Sequence, residues 1–231
     1  MPNLTEHAFS DAQEAARHLA AAIAGRLAEA IAARGVATLA LSGGRSPVPL
    51  FEALQDAALP WDKVIVAQVD ERWVPADHED SNARLIRTHL LRGPATAARF
   101  VPMKNEAADP RAGRPECEAA MATLPLPFDV TLLGMGDDGH TASLFPEATQ
   151  LAEALSTQAL TIAMTPPAAP HERMSLSRAG LLNSQLLILQ IGGAGKQAVY
   201  RAALAPGPVE ALPVRVVLHQ DRVPIEVWIN D

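Results

Sequence analysis

Short apolar runs, ended by glycine, proline or charged residues, recur through this chain, and stretches of helical periodicity fill the intervals. Residues 36–41, 63–69, 128–133, 159–164, 186–191 and 225–229 are short and apolar enough to predict buried strands. Helices are predicted over 10–34, 48–55, 81–91, 111–124, 150–155 and 197–204. The first is alanine-rich, has Ser10 to cap it and stops before Gly35. Pro47 suits the first turn of the second, and Ser81 or Asp80 can cap the third. Residues 173–182 mix strand and helix signals. Strands alternating with helices predict an α/β fold, a parallel sheet with helices on both faces. The proline-rich pieces at 125–127, 166–170 and 206–208 are too short for interdomain linkers, and no repeat is evident. Residues 1–231 therefore read as one domain.

Composition narrows the class. With 231 residues, 48% of them hydrophobic and 19% charged, the chain can bury a sizeable core and is not disordered. No apolar run is long enough to span a bilayer, and the first seven residues lack the basic-then-apolar layout of a signal peptide. The single cysteine, Cys117, excludes an intramolecular disulfide framework and a multi-thiolate metal site, so a cytoplasmic protein is expected. A net charge of −7 disfavours nonspecific nucleic-acid binding. An anionic ligand would need a locally basic pocket.

Such a pocket can be assembled from loops that follow predicted strands. The run Gly134-Met135-Gly136-Asp137-Asp138-Gly139-His140 leaves the strand at 128–133 and presents two carboxylates and an imidazole without bulky side chains between them. Loops beyond the carboxyl ends of strands in open α/β sheets are where small ligands bind. A histidine beside a carboxylate there has the parts of a general base and its orienting partner. A structural role, His140 capping a helix, is the alternative. The glycine spacing formally satisfies the dinucleotide fingerprint, but Asp137 and Asp138 would repel a pyrophosphate.

Two other loops are glycine-rich. Ser42-Gly43-Gly44-Arg45-Ser46-Pro47 lies between strand and helix, gathering hydroxyls, free amides and a guanidinium where an anion can bind; the alternative is a tight turn. It lacks the glycine-lysine-serine ending of a P-loop. Gly192-Gly193-Ala194-Gly195-Lys196 ends in a cation that can reach a phosphate or merely sit in solvent. Arg72 offers a planar fork for a phosphate, or an internal ion pair with Glu71 or Asp77, and Arg173 is similarly ambiguous. The remaining histidines, among them His78, His89, His171 and His219, are scattered, and no pair has helical ligand spacing beside an acid, so no metal site is expected.

Taken in order, Leu41 to Pro47, Asp70-Glu71-Arg72-Trp73-Val74-Pro75, Asp80-Ser81-Asn82, Gly134 to Pro146 and Gly195-Lys196 resemble the 6-phosphogluconolactonase family across most of the chain. The resemblance implies a modified Rossmann-like fold, shared with glucosamine-6-phosphate deaminases and ribose-5-phosphate isomerases. It implies hydrolysis of 6-phospho-D-glucono-1,5-lactone in the oxidative pentose phosphate pathway, without metal or nucleotide cofactor. It carries the catalytic histidine to His140, with Asp138 assisting. It carries phosphate binding to Arg72, Arg173 and Lys196 with the loop Ser42, Gly43, Gly44, Arg45 and Ser46. Around Arg173 the segment His171-Glu172-Arg173-Met174-Ser175 is a looser version of the family pattern. The partner implied is a small sugar phosphate, not nucleic acid or membrane, for a monomer or weak homo-oligomer. Amino-sugar-phosphate deaminases carry a similar loop but follow it with an acid before the proline. Here Leu144-Phe145-Pro146 has none. A non-catalytic sugar-phosphate sensor is the reading from a different class.

Overall fold

The computed structural model describes residues 3–231. The chain begins with β1 (Leu4–Phe9), α1 (Ala12–Arg34), β2 (Ala37–Leu41), α2 (Val48–Leu54), β3 (Val64–Gln68) and β4 (Asp70–Arg72). It continues through α3 (Asn82–His89), β5 (Arg99–Val101), α4 (Pro110–Ala122), β6 (Val130–Gly134), α5 (Leu151–Ser156) and β7 (Thr161–Met164). It closes with β8 (Arg173–Leu176), α6 (Arg178–Leu181), β9 (Leu187–Gly192), α7 (Ala194–Leu204), α8 (Arg215–Leu218) and β10 (Ile225–Asn230).

Seven strands form one sheet in the order β1-β10-β9-β6-β2-β3-β5, and every pairing in it is parallel. This is the expected α/β architecture. Its inner strands read as unbroken apolar runs because both their faces are covered: all residues of β2 and β3 are buried. The two-residue period divides them between two cores. Leu39, Leu41, Val64, Val66, Val130 and Leu132 face α1, α2 and α3, meeting Leu19, Ile23, Leu27, Phe51 and Ile86. Ala40, Ala67, Leu133, Leu187, Leu189 and Val227 face the opposite layer, where α4 contributes Cys117 and Met121 and α7 contributes Tyr200 and Ala203.

Cys117 is fully enclosed there, and burial, with Glu118 and Glu116 nearby, pushes its thiol up to about 12. The thiolate is the reactive form, so a thiol reagent at mildly alkaline pH should leave the native protein unmodified and label it only in denaturant. Fast labelling of the native protein would contradict this packing.

Local chemistry sets the helix ends. α1 is capped by Asp11, whose carboxylate accepts from the Gln13 amide, rather than by Ser10 as the sequence suggested. Its other end is closed by Gly35 in the left-handed region (φ 79°), with the amide bonded to the Ile31 carbonyl. Ser81 caps α3 by accepting from the Arg84 amide. The mixed segment 173–182 resolves into both elements, β8 and then α6.

One feature departs from a purely parallel picture. β4, β8 and β7 make a separate three-stranded antiparallel sheet, attached where Val69 bonds to Leu41 on one side and Leu176 on the other. In its register Arg72 stands directly opposite Arg173. No helix among the described residues is long and apolar enough to cross a membrane.

Candidate active site

Strand order fixes where a ligand can sit. From β2 the chain winds through β3 to β5, whereas from β6 it winds the other way through β9 to β10. The reversal between β2 and β6 is a topological switch point, and the loops leaving their carboxyl ends must diverge and leave a crevice. The loop after β2 is Ser42 to Pro47, and the loop after β6 runs to His140. Between them lies a cleft of about 200 Å³. Ser42, Gly43, Gly44, Arg45 and Ser46 form one wall, His140 and Gly136 another, and Arg72 and Lys196 complete the rim.

His140 and Asp138 are held together by a tight turn. The Gly136 amide donates to the His140 carbonyl at 2.9 Å, and the Gly139 amide to the Gly136 carbonyl at 3.0 Å, with Gly139 at φ 78°. His140 Nδ1 lies 2.5 Å from Asp138 Oδ1, which also accepts from the His140 amide at 3.1 Å. Donation from Nδ1–H to the carboxylate leaves Nε2 with a free lone pair. Burial works to raise the Asp138 carboxyl pKa, but the hydrogen bond and charge of His140 outweigh it and hold it below the ordinary carboxylate value. The imidazole rests against Phe145, ring centres 4.3 Å apart. Residues Thr141 and Leu144 form an isolated bridge after it, so His140 caps no helix, and no helix follows the glycines as a dinucleotide site requires.

Gly136 has no room for a side chain. A Cβ there would lie 2.2 Å from His140 Nδ1 and 2.6 Å from Asp138 Oδ1. Gly136→Ala should therefore push the pair out of place and lower kcat by about 10²-fold with the fold retained. Unchanged kcat in a variant with a native circular dichroism spectrum would argue against this arrangement.

The cationic side of the cleft is equally specific. Glu71, 1% exposed, accepts from Gln68 Nε2, from Ser81 Oγ and from the amides of Arg72, Asn82 and Ala83. With its lone pairs so engaged it stitches β4 to the start of α3 and is not the ion-pair partner of the Arg72 guanidinium. Arg72 instead donates from Nη1 to the Asp80 carbonyl at 2.5 Å. Among the described residues no ion pair includes Arg72, whether with Glu71 or with Asp77. Lys196 lies within α7, not at the end of a preceding loop: the helix starts at Ala194, after Gly193 at φ 81°. An ammonium group in a first helical turn is disfavoured by the dipole, so an anion nearby offsets a cost the empty site carries.

Two residues expected in the site do not line the cleft. Asp138 orients the imidazole without lining the cleft. Arg173, 6% exposed, is the cross-strand neighbour of Arg72, bonded from Nη2 to the Pro170 carbonyl at 3.1 Å and set 5.9 Å from the Phe145 ring centre. Its Nε is buried and has no partner. Burial first, then Arg72, lowers the guanidinium pKa against the pull of Asp70, Glu71 and Asp80.

Three cleft residues were not picked out from sequence: Asp70, Asn82 and Gln190. Asp70 accepts from Ser143 Oγ at 2.7 Å, and Asn82 Nδ2 donates to the Asp70 carbonyl at 2.9 Å. Asn82 also fills the space above Gly43, where a Cβ would lie 1.9 Å from its Oδ1. The signal was present, since Asp70 and Asn82 belong to the same short motifs as Arg72 and Ser81. Nor are all the histidines scattered. His78 and His171 converge on Asp80, with His171 Nε2 3.0 Å and His78 Nδ1 3.8 Å from Asp80 Oδ2.

An imidazole held at Nδ1 by a carboxylate, in one crevice with three basic side chains, has the parts of a general-base site for a small anionic substrate. Comparison with known proteins gives this class a lineage. The family profile described as glucosamine-6-phosphate isomerases/6-phosphogluconolactonase matches residues 10–225. The chain is 45% identical over 221 residues to the 6-phosphogluconolactonase of Pseudomonas aeruginosa, covering 95% of this chain and 92% of that one. Identity to the Pseudomonas putida 6-phosphogluconolactonase is 44% over 224 residues, 96% of this chain and 91% of that one. The crystal structure of a 6-phosphogluconolactonase from Shewanella baltica OS155 matches with a TM-score of 0.97 at 42% identity, covering 99% of this chain and 98% of that one. The chain belongs to the glucosamine-6-phosphate isomerase/6-phosphogluconolactonase family.

Proposed function

We propose that the protein hydrolyses 6-phospho-D-glucono-1,5-lactone to 6-phospho-D-gluconate, the second step of the oxidative pentose phosphate pathway, in the cytoplasm. The observation that carries this reading is His140, held by Asp138, in one cleft with Arg45, Arg72 and Lys196. The similar proteins named 6-phosphogluconolactonase support it.

In this reading the phosphate binds the cationic rim and the Ser42–Ser46 loop, which holds the distant C1 carbonyl near Nε2 of His140. A water between them gives its proton to Nε2 as its oxygen bonds to C1. Asp138 stabilises the imidazolium through the Nδ1–H bond, as it already holds the neutral ring. Collapse of the tetrahedral intermediate breaks the C1–ring oxygen bond, and the proton on Nε2 passes to the departing oxygen. Water is consumed, no group stays on the protein, and the product carboxylic acid ionises in solution. Arg173, which does not line the cleft, acts by setting Arg72 and Phe145.

Phe145 favours lactone hydrolysis over the ring-opening chemistry of a deaminase. The position before Pro146 holds an aromatic ring packed on His140, while Glu147, after the proline, is exposed and lies outside the cleft wall. The test is a coupled assay on freshly generated 6-phosphogluconolactone, with spontaneous hydrolysis subtracted, run beside an ammonia assay on glucosamine 6-phosphate. Enzyme-dependent 6-phosphogluconate without ammonia is expected. Ammonia release without lactone hydrolysis would assign the deaminase reaction, and tight binding without turnover the sensor.

A further inference from the structure

We propose that His78, Asp80 and His171 form a site for one divalent transition-metal ion of the zinc class, beside the arginines but outside the catalytic cleft. His78 and Asp80 lie on the loop between β4 and α3, and His171 on the loop between β7 and β8. One ligand atom from each lies within 4.8 Å of the others. None of the three lines the cleft.

Zinc bonds to nitrogen and oxygen of about 2.0–2.2 Å put tetrahedral neighbours roughly 3.3–3.6 Å apart. The carboxylate oxygen is 3.0 Å from His171 Nε2 and 3.8 Å from His78 Nδ1, so side-chain shifts within about 1 Å complete the geometry. Two imidazoles with one carboxylate are a ligand set of zinc and its neighbours, whereas magnesium and calcium take oxygen ligands. Side-chain exposures of 37%, 45% and 30% leave a fourth position open to water.

Metal binding would exchange two existing hydrogen bonds for bonds to the ion. His78 Nδ1 accepts from the Asp80 amide at 3.1 Å and His171 Nε2 donates to Asp80 Oδ2 at 3.0 Å, so a bound ion would replace both hydrogen bonds, with His171 in its Nδ1–H tautomer. His171 adopts φ 69°, uncommon for a residue with a side chain, and this backbone turn aims its ring at Asp80.

The two loops that meet here also carry the arginine supports. Arg72 donates to the Asp80 carbonyl and Arg173 to the Pro170 carbonyl. A bound ion would pin one loop to the other and fix both guanidinium groups, taking no part in the proton transfers at His140.

The test starts from full-length protein stripped with a chelator and titrated with zinc sulfate against a chromogenic competitor. One tight equivalent is expected, not displaced by excess magnesium, with a visible cobalt(II) spectrum of low coordination number. His171→Ala and Asp80→Asn should each weaken zinc binding about tenfold or more and abolish the cobalt spectrum. His140→Ala should keep both. Zinc should also raise the melting temperature of the wild type and not that of the folded Asp80→Asn protein. Absence of a tight equivalent in the wild type, or its loss in His140→Ala but not in His171→Ala, would overturn the proposal.

Discussion

Replacing His140 by alanine should lower kcat by about 10²–10⁴-fold, the usual worth of a positioned general base, with KM changing little. In the proposed mechanism the imidazole would reach the substrate only through a water, so its loss should remove an interaction specific to the transition state rather than one that binds the ground state. The fold should persist: the ring is 30% exposed at the end of a turn closed by backbone bonds between Gly136 and His140. Asp138→Asn tests the other half of the pair. An amide in that place retains the shape but no longer stabilises an imidazolium, so kcat should fall while KM holds. The pH response follows from the lowered Asp138 carboxyl. A carboxyl held below its ordinary value adds its stabilisation above that value and loses it as pH falls through the lowered one. The orienting bond therefore survives mild acid. Turnover of His140→Ala at the wild-type rate, after subtraction of spontaneous hydrolysis, would remove the imidazole from the mechanism.

Arg72→Ala is the second large effect, and it should appear mainly in KM. Hydrogen bonds to charged groups are worth about 1.5–3 kcal/mol, so a rise in KM of about 10–100-fold is expected. The phosphate stays bound from ground state to transition state, which leaves kcat much less affected. Arg72→Lys should recover part of the loss, since an ammonium supplies charge without the planar fork. Lys196→Ala should move KM in the same direction by less, as a single flexible point charge at the rim. Isotherms with inorganic phosphate or 6-phosphogluconate would check the same residues without turnover. An unchanged KM in Arg72→Ala would mean that the guanidinium serves only to brace the Asp80 carbonyl.

Much of this was legible in the sequence, for identifiable reasons. β2, β3, β6 and β9 are covered on both faces, so their apolar runs are nearly unbroken. The loops after β2 and β6 are marked by glycines, and the reversal of strand order makes those two loops walls of one cleft. β1 went unseen because it is an edge strand with exposed Thr5, Glu6 and Ala8 in an alternating pattern. β4 and β5 have three residues each, and α8 has four, too few for any period to show. The antiparallel sheet depends on pairing Asp70 with Ser175, a contact between distant segments of polar residues. The same long-range pairing explains why His78 and His171 looked unrelated and why Arg173 could not be placed opposite Arg72. Asp11 displaced Ser10 as the cap because both residues can serve and only the path of the backbone chooses.

The facing arginines of β4 and β8 place like charges opposite each other across a strand pair. Like charges across a strand pair repel, and one of these is buried with an unsatisfied nitrogen. A phosphate dianion bound there, as proposed, would relax that repulsion as well as form its own bonds, and so couple binding to folding. The protein should melt at a higher temperature in phosphate than in chloride at matched ionic strength, and that difference should shrink when either arginine is neutralised.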